Sequence, residues 1–435
     1  MELEKNALTA LEDRIIARVD EAEWLELTTE MVRTGQPNSV NPLDPDIPAG
    51  EEEAIALFVA GKLEAMGFEV EKYESQPRRP NIVGRLKGTG NGPSLMLNDH
   101  LDTYPAVEPE RWDKCDQNPF KATRHGDWLY GRGTSDTRGN LACSLLAVKA
   151  LIDEGVQLKG DLICCYTVDE EKNGPHGSMY MTQTIGLKPD YSITAEPTAW
   201  GGSSEDWGMN ISTANAGNCL VEVTVTGVKS HIWRPDTGLN AITLASGLVD
   251  PLNKMSFTHE PTDFMGHTPP CVCVVRTRGG LEGEMQFSPD SCILTLAVVG
   301  ILPGMSIDSV IDDVSHTVSD FLKDHSSAGF SVRQVPDSLF VCGTEPVPEL
   351  EEPNISIAKA YKQILGGQPV LNRKNAFNDT IRFREAGVNA VTFGSGEDGW
   401  APVNESISIT KSTAATKIFA LTIMHLLGVA ESGAE

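Results

Sequence analysis

Three short apolar runs in this chain each end on charged or imidazole side chains. "LMLN" leads into Asp99, His100 and Asp102, "DLICCYTV" into Asp169, Glu170 and Glu171, and "DYSITA" into Glu196. Runs of this length read as strands of a buried sheet. A long helical stretch, "GNLACSLLAVKALIDEG" (139–155), lies between the first two. Strands alternating with helices predict an α/β architecture, a mostly parallel sheet with helices covering both faces. In such a sheet the carboxyl ends of the strands share one edge, and that edge carries the site. One pattern therefore predicts both the fold and the place of the chemistry.

Other stretches fill in the organisation. The residues "MELEKNALTALEDRIIARVDEAEWLEL" read as one charged amphipathic helix, 38–50 as a turn-rich loop, and "EEEAIALFVAGKLEAMGF" as a helix ending at Gly67. From about 212 the texture changes. "NCLVEVTVTGV" alternates like a half-exposed strand, 240–255 is helical, and "PPCVCVVRTR" and "DSCILTLAVVGIL" are further strands. "SIDSVIDDVSHTVSDFLKDH" reads as an amphipathic helix capped by Ser306. This predicts a first part of the catalytic domain at 1–211, an inserted α+β lid and dimerisation domain at 212–335, and a return to the first domain at 336–435.

The 61 acidic residues outnumber the 35 basic ones, for a formal charge of -26. A field of that sign disfavours nucleic acid and anionic membranes as partners. No stretch reaches the roughly 18 apolar residues of a membrane span. The nine cysteines are scattered without a CxxC spacing, so reduced, mostly buried thiols and a cytoplasmic location are expected.

Each acidic motif alone has an ordinary reading: His-x-Asp as a surface hydrogen-bonded pair, "DEE" as a solvated loop, Glu-Pro as a turn. Converging on one sheet edge, together with Asp136 from the glycine-flanked "LYGRGTSDTRGN", they would repel strongly unless a cation neutralised them. Mixed nitrogen and oxygen donors without thiolate suit a divalent ion such as zinc, manganese or cobalt. Asp102, two residues along the strand from His100, is placed to fix the imidazole tautomer.

"NDHLDTYP", "GRGTSDTRGN", "DEEKNGPHGS", "AEPT" and "GVKSHIWRPDTGLNAI" occur in this order. They resemble the motifs of the zinc-dependent aminoacylases, glutamate-releasing carboxypeptidases, acetylornithine deacetylase and succinyl-diaminopimelate desuccinylase (peptidase family M-twenty). The resemblance implies a metal-dependent hydrolase of a C–N bond in a small molecule. It makes Asp136 a bridging ligand, His100 and Glu196 ligands of one ion, and Glu171 a ligand of the other. Glu170 would be the general base acting on metal-activated water. His231 would stabilise the oxyanion from a lid, across a homodimer or higher homo-oligomer. Asn240 and Gln286 would contact substrate.

The chain also departs from that pattern. The family's late histidine ligand has no counterpart in "FGSGEDGWAPVNE", where Gly399, Trp400 and Ala401 fall. One well-held ion is therefore expected, with the second weak or absent, unless His176 turns inward. "AVVGILPG" has Gly300 where relatives carry a carboxylate-binding arginine. Arg382 either clamps an acidic substrate or forms a structural ion pair, and Trp400 either stacks on substrate or fills space. Two other functions stay open at this point: release of ammonia from an activated aromatic amine such as nitroanthranilate, and a catalytically silent binding protein.

Overall fold

The computed structural model describes residues 2–34, 43, 46, 49–199, 209–264, 266, 268–280, 282–396 and 403–430. The chain forms two compact units. The first comprises 1–213, 347–372 and 378–435, and the second 214–346 and 373–377. The chain returns to the first unit later than position 336. Val335, Val341 and Thr344 donate backbone hydrogen bonds to Leu220, Asn218 and Asn215, and so keep this segment in the second unit.

The first unit is built on an eight-stranded sheet. Its order is Glu69–Glu74, Pro80–Leu86, Leu162–Thr167, Leu95–His100, Tyr191–Thr194, Asn389–Phe393, Ile211–Asn215, Leu371–Lys374. The four central strands are parallel, whereas Glu69–Glu74 and Pro80–Leu86 on one side and Ile211–Asn215 on the other pair antiparallel. The sheet is thus mixed, with the parallel character confined to its centre. The central strands are buried throughout, and successive residues alternate between two cores: Leu95, Leu97, Leu162 and Cys164 join one, Met96, Ile163 and Cys165 the other. Side chains of a strand point to opposite faces, so both faces are covered. The helices Gly139–Asp153 and Ile409–Leu427 supply much of the larger core.

The N-terminal segment is two helices, Glu2–Arg18 and Glu21–Thr34, rather than one. Asp20 explains the break, because its carboxylate accepts from the backbone N–H of Ala22 and competes with helix continuation. Burial pushes the Cys143 and Cys164 thiols up to about 12, which leaves them inert as nucleophiles. Among the described residues no helix is long and apolar enough to cross a membrane.

The second unit is a four-stranded antiparallel sheet, in the order Cys271–Gly279, Ser291–Ile301, Gly217–Thr226, Gly329–Gln334. Val221, Val223 and Val225 pack with Leu294, Leu296 and Val298 against one stripe of each helix, Leu244 and Leu248 from Ala241–Lys254 and Val310, Val314 and Val318 from Ile307–Leu322. Ser306 caps the second helix in a reciprocal capping box with Ser309.

Candidate metal centre

The parallel register lines up the chemistry. His100 pairs with Thr167, and Asn98 with Thr194, so two neighbouring strands end level and the third two residues earlier. His100 closes its strand, Glu170 and Glu171 follow Thr167 in a tight turn, and Glu196 lies two residues beyond Thr194. Asp136 arrives from the 131–136 loop that leads into the helix Gly139–Asp153. That loop requires glycine. Gly133 has φ +81°, and a Cβ there would sit 2.8 Å from Thr103 Cγ2.

Among the described residues, the donor atoms of His100, Asp136 and Glu171 lie within 4.8 Å of one another. His100 Nε2 is 3.0 Å from Asp136 Oδ1 and 3.9 Å from both Glu170 Oε2 and Glu196 Oε1. His100, Glu170, Glu171 and Glu196 are all buried. Glu171 Oε1 has no hydrogen-bond partner at all. A buried carboxylate oxygen with no donor is costly, and a cation held by the cluster would satisfy it. The donor set of one imidazole and several carboxylates fits a divalent ion of the zinc or manganese type.

The supporting contacts explain how so many carboxylates are held together. His100 Nδ1 is 3.2 Å from the Asp102 carbonyl and 3.4 Å from its carboxylate. An Nδ1–H donating to Asp102 makes Nε2 the nitrogen that would face an ion, on the side where it stands within hydrogen-bond distance of the Asp136 carboxylate. The Asp102 carboxylate also accepts from the backbone N–H groups of Glu170 and Glu171, at 3.2 Å each. One side chain thus orients the imidazole and the acidic turn together. Burial first, then the Asp136 carboxylate, pushes Glu171 well above the usual carboxylate range. Glu170 is raised in the same way by burial; His100 opposes the shift, while Glu196, Glu171 and Asp379 add to it. Burial works to lower the His100 imidazole, but Glu170, Asp102 and Asp136 together raise it.

The remaining expected residues fall in varied places. Arg382 is buried, and its guanidinium donates to the Asn173 carbonyl and to Glu385. These are the contacts of the structural ion pair, fastening the end of the acidic turn. His176 Nδ1 is 3.0 Å from Ser75 Oγ, and the ring is outside the converging group, so it does not stand in for the late histidine. In the second unit, Asn240 caps a helix by accepting from Ile242 and Thr243. Gln286 is exposed, and its carbonyl accepts from Ile232. His231 is exposed, and its Nδ1 accepts from Trp233 N–H at 3.3 Å, which puts the ring proton on Nε2. Gly300 sits at a bulge with φ +77°, where a Cβ would meet Pro269 O at 3.1 Å. An arginine there would be strained as well as crowded. Trp400, with Gly399 and Ala401, lies outside the described residues.

Two contributors were not singled out from the sequence. Asn378 donates to Glu196 Oε2 at 3.1 Å and to Thr392 Oγ1 at 2.9 Å, and so aims that carboxylate. Glu405 accepts from the loop that carries Asp136. Both stand beside residues that drew notice, in "NAFNDT" and "APVNE", but nothing local marks them as partners of the site.

Parallel strands ending on a buried imidazole–carboxylate cluster, with no reactive thiol nearby, define a metallohydrolase class of site. Residues 96–425 match Peptidase family M20/M25/M40, and the chain belongs to that family. It is 24% identical to succinyl-diaminopimelate desuccinylase of Hydrogenovibrio crunogenus over 93% of this chain and 99% of that protein. It is 36% identical to N-formyl-4-amino-5-aminomethyl-2-methylpyrimidine deformylase of Bacillus subtilis, over 35% of each chain, so it spans only about a third of that relative. In fold it is similar to the dipeptidase Dug1p of Saccharomyces cerevisiae, with TM-score 0.73 at 15% identity over 96% of this chain and 98% of that one. Human carnosine dipeptidase 1 gives 0.70 at 16% over 96% and 99%. The protein is a metal-dependent hydrolase acting on amide C–N bonds. Relatives named deformylase, desuccinylase and deacetylase do not favour the ammonia-releasing or the silent reading.

Proposed function

We propose that the chain hydrolyses small amides whose amine portion carries no carboxylate, with Glu170 as the proton-transferring base. The observation that carries the site assignment is the convergence of the buried His100 and Glu171 with the half-buried Asp136 around an unsatisfied Glu171 oxygen. The resemblance implied that Glu171 serves a second ion; its grouping with His100 and Asp136 supports instead that these three side chains and Glu196 would hold one ion, with Asp102 and Asn378 fixing their orientation. When bound, the ion supplies Lewis acidity to the acyl carbonyl and the attacking water. Glu170 takes one proton as water adds to the acyl carbon. It returns that proton to the nitrogen as the C–N bond breaks, so a carboxylic acid and an amine leave. His231 serves as oxyanion donor through Nε2–H, brought by a partner subunit in a homodimer.

The reading that the substrate lacks a carboxylate is supported by the engagement of four buried arginines among the described residues. Arg79 is engaged by Glu52 and Asp169, Arg132 by Glu405, Arg138 by the Val32 and Leu101 carbonyls, and Arg382 by Glu385. Gly300 supplies no charge. A charge-assisted hydrogen bond contributes about 1.5–3 kcal/mol, so losing it gives up roughly a 10- to 100-fold preference. In a panel of N-formyl and N-acetyl amines, those without an α-carboxylate should show the higher kcat/KM. A tenfold preference for N-acyl amino acids would overturn this assignment.

One ion per chain is held tightly, zinc, manganese or cobalt, because no late histidine completes a second set. Chelator-stripped protein should regain amide hydrolysis on binding a single equivalent. Two tightly held equivalents by metal analysis would sink the one-ion assignment. The site works in the cytoplasm on a small-molecule substrate.

A further inference from the structure

We infer that Glu405 is a positioning residue for Asp136, and that through Asp136 it sets the metal affinity of the site. The inference rests on the metal-centre reading above. Glu405 closes the late loop, immediately before the short strand Ser406–Ser408. That strand pairs antiparallel with Trp128–Tyr130, placing Ser406 opposite Tyr130, and Gly131 N–H donates to the Glu405 carbonyl at 2.9 Å. The pairing delivers the Glu405 side chain to the 131–136 loop, where its carboxylate is 6% exposed.

Both carboxylate oxygens are fully used. Oε2 accepts from Arg132 Nη1 and from Gly133 N–H, each at 2.8 Å. Oε1 accepts from Ser135 N–H at 2.8 Å and Asp136 N–H at 3.0 Å. The loop amides of Gly133, Ser135 and Asp136 converge on one anion in a concave cradle, and the anion is part of the protein itself. The last of these amides belongs to the residue whose Oδ1 stands 3.0 Å from His100 Nε2. Glu405 therefore fixes the backbone from which Asp136 projects. The late loop lacks a histidine ligand, yet it still acts on the metal centre by shaping the loop across from it.

A purely structural role, neutralising the buried Arg132, is the competing account, and the two separate in a variant pair. Glu405→Gln keeps size and packing but turns an NH2 toward two of the four donors. Arg132→Met removes the ion pair and leaves all three amide bonds to Glu405 in place. Cobalt(II) titration of the apo-protein, followed by d–d absorption, reads affinity and ligand geometry without needing a substrate. Glu405→Gln is expected to weaken cobalt binding by about 10- to 100-fold, the usual cost of removing an orienting partner, and to shift the absorption bands. Arg132→Met should stay within about threefold of the unaltered protein, since the contacts that orient Asp136 remain. If Glu405→Gln does not fold, the neutral pair Arg132→Met/Glu405→Gln is compared with Arg132→Met and should show the same loss. Equal affinity in that comparison, or folded Glu405→Gln with unchanged affinity and spectrum, overturns the positioning role. Equal weakening by Arg132→Met alone assigns the effect to the ion pair and also overturns it. An unaltered protein that binds no cobalt overturns the metal-centre reading as well, so the two failures are distinguishable.

Discussion

Replacing Glu170 by glutamine should lower kcat by about 10²- to 10⁴-fold, the range that a positioned general acid–base contributes. The cobalt or zinc content should stay unchanged. The two halves of this result bear on different roles. In the scheme proposed above Glu170 is the base and Glu196 the ligand, although each is 3.9 Å from His100 Nε2, so the metal content is what separates the two roles. At that distance Glu170 Oε2 is close enough to reach a water held at the cluster. Burial, more than any neighbouring charge, raises its pKa, which suits a group that must hold a proton briefly and return it. Glutamine preserves size and cannot take that proton. KM should move little, because the substitution removes an interaction made chiefly in the transition state. The measurements are steady-state kinetics on an amide found in the substrate panel, and metal analysis on the same preparation. If the variant loses its metal along with its activity, Glu170 is a ligand and the base lies elsewhere. If it keeps full activity, the proton-transfer scheme is wrong.

What the sequence made legible was local. Apolar runs ending on acids marked the strands and the sheet edge, because both signals lie within a few consecutive residues. His100, Glu170, Glu171 and Glu196 were named on that basis, and Asp136 from a glycine-flanked turn before a helix; the register brings the three strands together at that edge. What was not legible depended on distance along the chain. Glu405 meets Ser135 across 270 residues, Asn378 meets Glu196 across 182, and Arg79 meets Asp169 across 90. No periodicity or spacing reports such pairs. Arg382 illustrates the same limit. A lone arginine near a site suggests substrate recognition, and only its contacts with Asn173 and Glu385 reveal a residue spent on holding the acidic turn. The antiparallel margins of the sheet were missed for a related reason, since the direction of a strand is set by its connection rather than by its own composition.

Arg79→Met should cost about 3–5 kcal/mol of folding stability, the penalty for stranding a buried charge. Arg79 is 3% exposed and lies between two buried carboxylates. Its Nε and Nη2 donate to the two Glu52 oxygens at 2.8 and 2.6 Å, and Nη2 also donates to Asp169 Oδ1 at 2.9 Å. Burial works against its charge, but Glu52 and Asp169 more than compensate and raise its pKa. Methionine fills similar space with no charge, so both acids would be left in a dry interior. The second consequence is functional. Asp169 opens the acidic turn in a left-handed conformation, φ 65°, and its other oxygen accepts from His176 N–H at 3.3 Å. With Arg79 gone, the turn that presents Glu170 and Glu171 loses its anchor on that side, so kcat should fall together with stability. Urea unfolding at neutral pH reads the first effect, and kinetics well below the transition read the second. The double variant Arg79→Met/Glu52→Leu should regain part of the stability, because one of the two stranded acids is then removed. It should regain none of the activity, because Asp169 remains without its partner. An Arg79→Met protein within about 1 kcal/mol of the parent, below the usual cost of an unpaired buried charge, would mean that the acids accept protons or water instead. The brace on the acidic turn would then have to come from Asp102 and Arg382 alone.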